Sequence, residues 1–231
     1  MTAALGAATV ASSGSYIGTG TVTANAGDTL LWARSTTTPT GPFTAQPVDT
    51  LVLNDTSETS GAISGTSSAI ARPTFDAGAS MYYGRLRVGN AFGIELLPLI
   101  IPVETQYYTG IVWVTNSNDS CTIVPANAFA AGNWQRNLSG CLTSTTSGGA
   151  PTGGRFIVTL SAPGSGNSGS VDLTLNVGTV ASGNACIGGA STAASALGMP
   201  WLQGNSGGIS TYTTNPTGRA AFGLFSAPPG F

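Results

Sequence analysis

Ser206 lies in "GNSGG" (204–208), which fits the GxSxG pattern and is one residue from the GDSGG of chymotrypsin-like proteases. A serine nucleophile needs a general base to take its hydroxyl proton, normally His and in some enzymes Lys. The chain has no His, and its seven basic residues are all Arg, which stays protonated and cannot serve. The stretch therefore reads as a glycine-rich turn after "PWLQ". The nine acids are scattered along the chain, and no spacing marks the carboxylate pair that a glycosidase sets on either side of a sugar. "NSNDS" (116–120) offers oxygen atoms of the kind Ca²⁺ prefers but lacks the acid density of a dedicated loop, and it reads as an Asx-rich turn. There is no phosphate-binding loop and no dinucleotide fingerprint. The sequence thus predicts no catalytic residue, no metal site and no cofactor.

The remaining chemistry is aromatic and cationic. Two of the seven arginines, Arg85 and Arg87, sit two apart in "MYYGRLRVGNAFGIELLP" (81–98) beside Tyr82 and Tyr83. In an extended strand side chains alternate between faces. Tyr82, Leu86 and Val88 then share one face, and Tyr83, Arg85 and Arg87 the other. The segment "IELLPLIIPVETQYY" is the expected partner strand after a turn at "NAFG", with Glu95 and Glu104 able to pair with the arginines. Tyr107, Tyr108 and Trp113 flank a Gly turn further on and would suit a sugar-stacking platform, or a core. The candidate patch, for a ligand or for structure, is Tyr83, Arg85, Arg87, Tyr107, Tyr108 and Trp113, and the alternation by itself favours structure.

Composition narrows the partners. Charged residues make up 7% of the 231-residue chain, with a net charge of −2, against about 25% in a typical soluble domain. Nucleic-acid binding needs clustered Lys and Arg, and a polybasic membrane patch needs the same; neither partner is expected. The longest apolar run, "LLPLIIPV" (96–103), falls far short of the roughly 18 residues that span a bilayer. "MTAALGAATVASSG" has no Lys or Arg ahead of its small apolar residues, so any secretion signal is expected outside this chain. Water must be met by Ser, Thr, Asn and Gly, a surface more usual in secreted or cell-surface β proteins.

Strands must position these residues. "VDLTLNV" (171–177) alternates cleanly, with Val171, Leu173, Leu175 and Val177 on one face. "RFIVTL" (155–160), "TLVLND" (50–55), "GIVWVTN" (110–116) and "DTLLWAR" (28–34) are further candidates. Turn clusters such as "SGGAPTGG" and "APGSGNSGS" separate them, and only "STAASALGMP" (191–200) suggests a helical turn or two. The expected fold is all-β: an antiparallel β-sandwich, Ig-like or related, with long Gly/Ser/Thr-rich loops. A loop-like stretch near residue 78 divides an N-terminal β segment or small domain (1–78) from the sandwich (79–231). Of the three cysteines, Cys121 and Cys141 flank a Gly/Asn-rich loop and are the expected disulfide, with pairing to Cys186 the alternative; closing a loop of that length would stabilise by roughly 3 kcal/mol.

Residues 75–122, with "YGRLR" and "NDSCT", resemble the C-terminal region of MshQ-like proteins, large surface proteins grouped with mannose-sensitive haemagglutinin type IV pili. "MPWLQGNSGGISTYTTNPTGRAAFGLF" (199–225) is similar to the family's ending, and residues 41–65 match more weakly. The resemblance implies a non-catalytic structural or adhesive domain at the bacterial cell surface. Its partners would be pilus subunits, other domains of the same protein or a surface glycan, and its compartment would be oxidising. It supplies no mechanism. A carbohydrate-binding module using Tyr107, Tyr108 or Trp113 is the alternative, and a hydrolase the remote one. Family members also continue past the "FGLF" position into another strand, whereas this sequence ends in "SAPPGF": either it stops short of that strand or the strand is absent, and only in the second case would a sheet edge be left open to strand addition.

Overall fold

The structure, a computed structural model, describes residues 2–4, 29–31, 34–44, 51–54, 64–67, 80–205 and 209–223. Contacts divide the chain into two units, Met1–Ser35 and Thr36–Phe231. In the first, β1 (Thr2–Ala4) pairs antiparallel with β2 (Thr29–Leu31). The second begins with two small antiparallel ribbons: β3 (Phe43–Thr44) with β6 (Ser80–Met81), and β4 (Leu51–Asn54) with β5 (Ser64–Ser67). The division expected near residue 78, and the chain beyond Gly223 with the edge it would leave open, lie outside the described residues.

The rest is a sandwich of two four-stranded sheets. The first holds β7 (Gly84–Val88), β9 (Leu99–Tyr108), β10 (Trp113–Thr115) and β12 (Arg155–Leu160). β9 is its spine. One edge of β9 carries β12 along residues 99–104 and β10 along 106–108, and the other carries β7. The second sheet has the order β11 (Phe129–Arg136), β13 (Gly169–Leu175), β14 (Thr217–Phe222) and β8 (Ala91–Gly93). All pairs are antiparallel except β14 with β8, which is parallel.

Period-two burial explains why these segments are strands. Leu86 and Val88 on β7, Leu99, Ile101 and Val103 on β9, and Phe156, Val158 and Leu160 on β12 face inward from the first sheet. Phe129, Val171, Leu173, Leu175, Ala220 and Phe222 meet them from the second. Their burial is the main force holding the sheets together, each side chain contributing about 1.5–3 kcal/mol. The alternation read in "VDLTLNV" is realised over residues 171–175; beyond the end of the strand Val177 is also buried, but so is Asn176, which alternation would place on the outer face.

"NAFG" is not the simple turn expected. β7 leaves the first sheet at Gly89, β8 joins the second, and the chain returns to the first as β9. Pro102 on β9 accepts a hydrogen bond from the Gly89 N–H but has no N–H to return, so pairing stops there. A Cβ at Gly89 would lie 2.7 Å from the Pro102 ring, which leaves glycine as the residue that fits.

The long β13–β14 connection between Asn176 and Pro216 is irregular, and many of its described residues are hydrogen-bonded. Asn176 is fully buried. Its amide donates to the Ser182 carbonyl at 3.0 Å, and its oxygen accepts from the Asn215 side chain at 3.2 Å and from the Ser182 N–H. The stretch 191–199 forms no helical turn, because its N–H groups are taken by other segments: Ser195 by Asn127, Leu197 by Asn176 and Met199 by Val177. Asn184 accepts the Ala131 N–H on its main-chain oxygen, and its side-chain oxygen accepts from the N–H groups of Cys186 and Thr192. This lays the connection against the outer edge of β11.

The disulfide is Cys141–Cys186, not Cys121–Cys141. The 182–195 stretch brings Cys186 over the β11–β12 connection, with the two Cα atoms 5.0 Å apart, well within disulfide reach. Cys121 is an exposed free thiol. It is held instead by its own turn, where its N–H and its thiol both point at Asp119 Oδ1. No helix among the described residues is long and apolar enough to cross a membrane.

Candidate functional site

Register fixes which side chains meet on the outer face of the first sheet. Arg85 lies opposite Gln106, Arg87 opposite Glu104, Tyr108 opposite Trp113, and Arg155 opposite Glu104 on its other side. Because side chains alternate, these residues and Tyr83 point away from the core while Leu86 and Val88 point into it. The face assignment made from the sequence holds along β7.

At the Tyr83 end the face is aromatic. Trp113 packs against Tyr83 (ring centroids 6.0 Å apart), Tyr108 (5.5 Å) and Tyr212 (5.7 Å). Tyr212 also meets Tyr83 edge-on at 5.6 Å. Tyr83 is only 5% exposed, so an outward-facing residue has been closed over by the chain around Tyr212, whose N–H donates to the Thr36 carbonyl. Tyr107 falls on the other face and pairs with Tyr82 at 4.7 Å.

Arg85 joins the aromatic end to a polar one. Its guanidinium carbon sits 4.0 Å from the Trp113 ring centre, a cation–π contact. Its Nε donates to Gln106 Oε1 at 3.0 Å, and one terminal nitrogen donates to Asn205 Oδ1 at 3.4 Å. Burial lowers the Arg85 pKa from its ordinary value; Tyr212 opposes the shift and the like charge of Arg87 adds to it. Gln106 passes the chain on to Glu104 Oε2 at 2.9 Å. Glu104 Oε1 accepts from Arg155 Nε at 3.2 Å, and Arg155 also donates to Thr115 Oγ1. Arg87 stands 3.6 Å from Glu104 Oε2. Of the two acids expected to pair with the arginines, Glu104 does; Glu95 is set elsewhere, its main-chain oxygen accepting from Gly164.

A groove of about 320 Å³ opens beside these arginines, lined among others by Arg85, Arg87, Asn90, Asn205, Pro216 and Thr217. Asn90, Asn205 and Tyr212 gave no signal in the sequence. They lie in segments without periodicity, and only the return of the chain some 120 residues later brings Asn205 to Arg85.

The other motifs resolve locally. Asp119 in "NSNDS" accepts from the N–H groups of Cys121 and Thr122 and from the Thr122 hydroxyl at 2.7 Å. Burial pushes its pKa up, but these hydrogen bonds outweigh it and hold the carboxyl below its ordinary value. Its oxygens are thus engaged in closing a turn. Gly204 of "GNSGG" pairs with Thr214 in an isolated bridge; Ser206 lies outside the described residues. Among the described residues no cluster of His, Cys, Asp and Glu could hold a metal.

No curated protein and no solved structure matches the chain. Residues 82–228, which include both sheets and the outer-face cluster, match the family model described as DUF6701, fourth domain, and the chain therefore belongs to that family, a domain of unknown function.

Proposed function

We propose that this chain is a non-catalytic structural and adhesive domain of a bacterial surface protein, associated with type IV pili. The observation that carries the reading is the Cys141–Cys186 disulfide. It fastens the long β13–β14 connection over a sheet edge, and disulfides of this structural kind persist in oxidising compartments. The resemblance of residues 75–122 and 199–225 to MshQ-like proteins supports the pilus assignment. The family's description as a fourth domain supports a place in series with other domains, which the chain would space or hold. The outer-face arginines fit a structural duty: Arg85 is stacked and hydrogen-bonded on one side, and Glu104 knits β7, β9 and β12 together.

The test is made on living cells of the source bacterium. An epitope tag inserted at the exposed Ser165–Gly166 tip should be reached by antibody on intact cells, and deletion of the gene should reduce surface attachment without loss of a metabolic activity. A tag reached only after lysis would overturn the surface assignment. Intact piliation and attachment in the deletion strain would overturn the pilus assignment.

A further inference from the structure

The groove beside β7 is unusual in what its side chains leave unspent. Arg85 uses Nε and one terminal nitrogen, and its second terminal nitrogen has no partner among the described residues. Among the described residues Arg87 has only its 3.6 Å ion pair, beyond hydrogen-bond length, because Glu104 is already engaged by Arg155 and Gln106. Asn90 has its side-chain oxygen occupied by the Arg219 N–H, and Asn205 has its oxygen on Arg85. Neither amide nitrogen has a partner among the described residues. The side chains thus offer mostly donors, and the two amide oxygens each already accept one bond. Charge agrees: among the described residues the outer face holds Arg85, Arg87 and Arg155 against Glu104 alone, in a chain whose net charge is −2.

We infer that this groove binds a carboxylate-bearing sugar residue. A carboxylate is planar and matches the fork of an arginine. Placed between Arg85 and Arg87 it relieves the repulsion between them. Asn90 and Asn205 stand by to donate to ring hydroxyls. The volume lies at the lower end of the range for small-molecule sites, roughly 300–1,000 Å³, which suits a single ring. An extended peptide fits poorly, because Leu86 is 1% exposed and the β7 main chain beneath it is not open for strand pairing. Arg85 is preorganised by Trp113 and Gln106, so little entropy is lost when it binds. The inference does not depend on the pilus reading, since it concerns the groove and not the compartment.

The experiment is an NMR titration of the ¹⁵N-labelled full chain with glucuronate, glucose, inorganic phosphate and a short polyglutamate peptide, each at low and high salt. The expected result is saturable shifts around Arg85, Arg87, Asn90 and Asn205 with glucuronate, weakened by salt, with glucose and phosphate each at least tenfold weaker. Arg87→Gln should weaken glucuronate tenfold or more with its melting temperature unchanged, which keeps the test independent of folding. Asn205→Ala serves as the second variant and should weaken glucuronate without the same change in salt dependence. Equal binding of phosphate and glucuronate would mean a bare anion site and would overturn the sugar. Tighter binding of the peptide would overturn it as well. Absence of shifts with glucuronate, or an Arg87→Gln chain that binds as well as the parent, would overturn the site itself.

Discussion

Arg85 and Arg87 are two residues apart on one face of one strand, yet their surroundings differ. Arg85 is stacked on Trp113 and half-buried; Arg87 is 58% exposed in its side chain, with one long ion pair. Arg85→Gln should therefore cost about 1–2 kcal/mol, the sum of a partly desolvated cation–π contact and a hydrogen bond. Arg87→Gln should stay within about 0.5 kcal/mol of the parent, as surface changes do. Urea denaturation of the two variants side by side checks this, and equal losses would contradict it. The Asp119 turn makes a pH prediction. Its folded pKa is depressed, so the stability it contributes is fully present above the unfolded value of about 3.9 and is lost as pH falls through the folded value. Asp172, lowered chiefly by its hydrogen bond from Arg219, behaves alike. Asp119→Asn should flatten the decline in stability below about pH 4 relative to the parent, read as melting temperature against pH. How far such residues are legible in sequence depends on the reach of the contact. The face shared by Tyr83, Arg85 and Arg87 follows from alternation alone. Neither the cover that Tyr212 lays over Tyr83 nor the bond from Arg85 to Asn205 has a local cause that a sequence pattern could carry.

Among the elements, the long β13–β14 connection is the one whose order rests on side-chain chemistry more than on a ladder. Asn176 is its anchor. Asn176→Ala leaves Ser182 and Asn215 without a buried partner and should cost about 1–3 kcal/mol. The disulfide closes a separation of 45 residues, for which chain entropy gives about 4 kcal/mol. Reduction, or Cys141→Ser with Cys186→Ser, should lower stability on that scale. Hydrogen exchange should then quicken first at the Ala131 N–H, which the Asn184 carbonyl protects. Mass mapping of the non-reduced native chain after alkylation should find the label on Cys121 alone. Label on Cys141 or Cys186 would contradict the pairing. The strands were readable where burial alternates without interruption, as in β12 and β13. The β8 excursion was not, because "NAFG" has turn composition and only the opposite sheet gives it a strand partner. The cysteine pairing was misread for a related reason: nearness in sequence favoured Cys121, while the Asp119 turn had already claimed it.

The molecule as a whole is a sandwich whose strongest pairings join distant segments, β9 with β12 and β13 with β14. Such topologies fold slowly, on the millisecond-to-second scale of all-β domains, which stopped-flow refolding with the disulfide intact would measure. Leu173→Ala, at the centre of the shared core, should cost about 2–5 kcal/mol.

The parallel pair of β8 and β14 has a mechanical meaning. β8 comes early in the sandwich and β14 at its close, and the two run side by side in the same direction. Tension between the chain before Gly84 and the chain after Phe222 reaches β8 at its leading end, by way of β7, and β14 at its trailing end. The Ala91–Ala220, Phe92–Ala221 and Gly93–Phe222 pairings are then loaded lengthwise and must give way together, where an antiparallel hairpin pulled from its open end would unzip one rung at a time. In the proposed series arrangement, drag would load this clasp together with the β7–β9 ladder, so that two sets of rungs resist it.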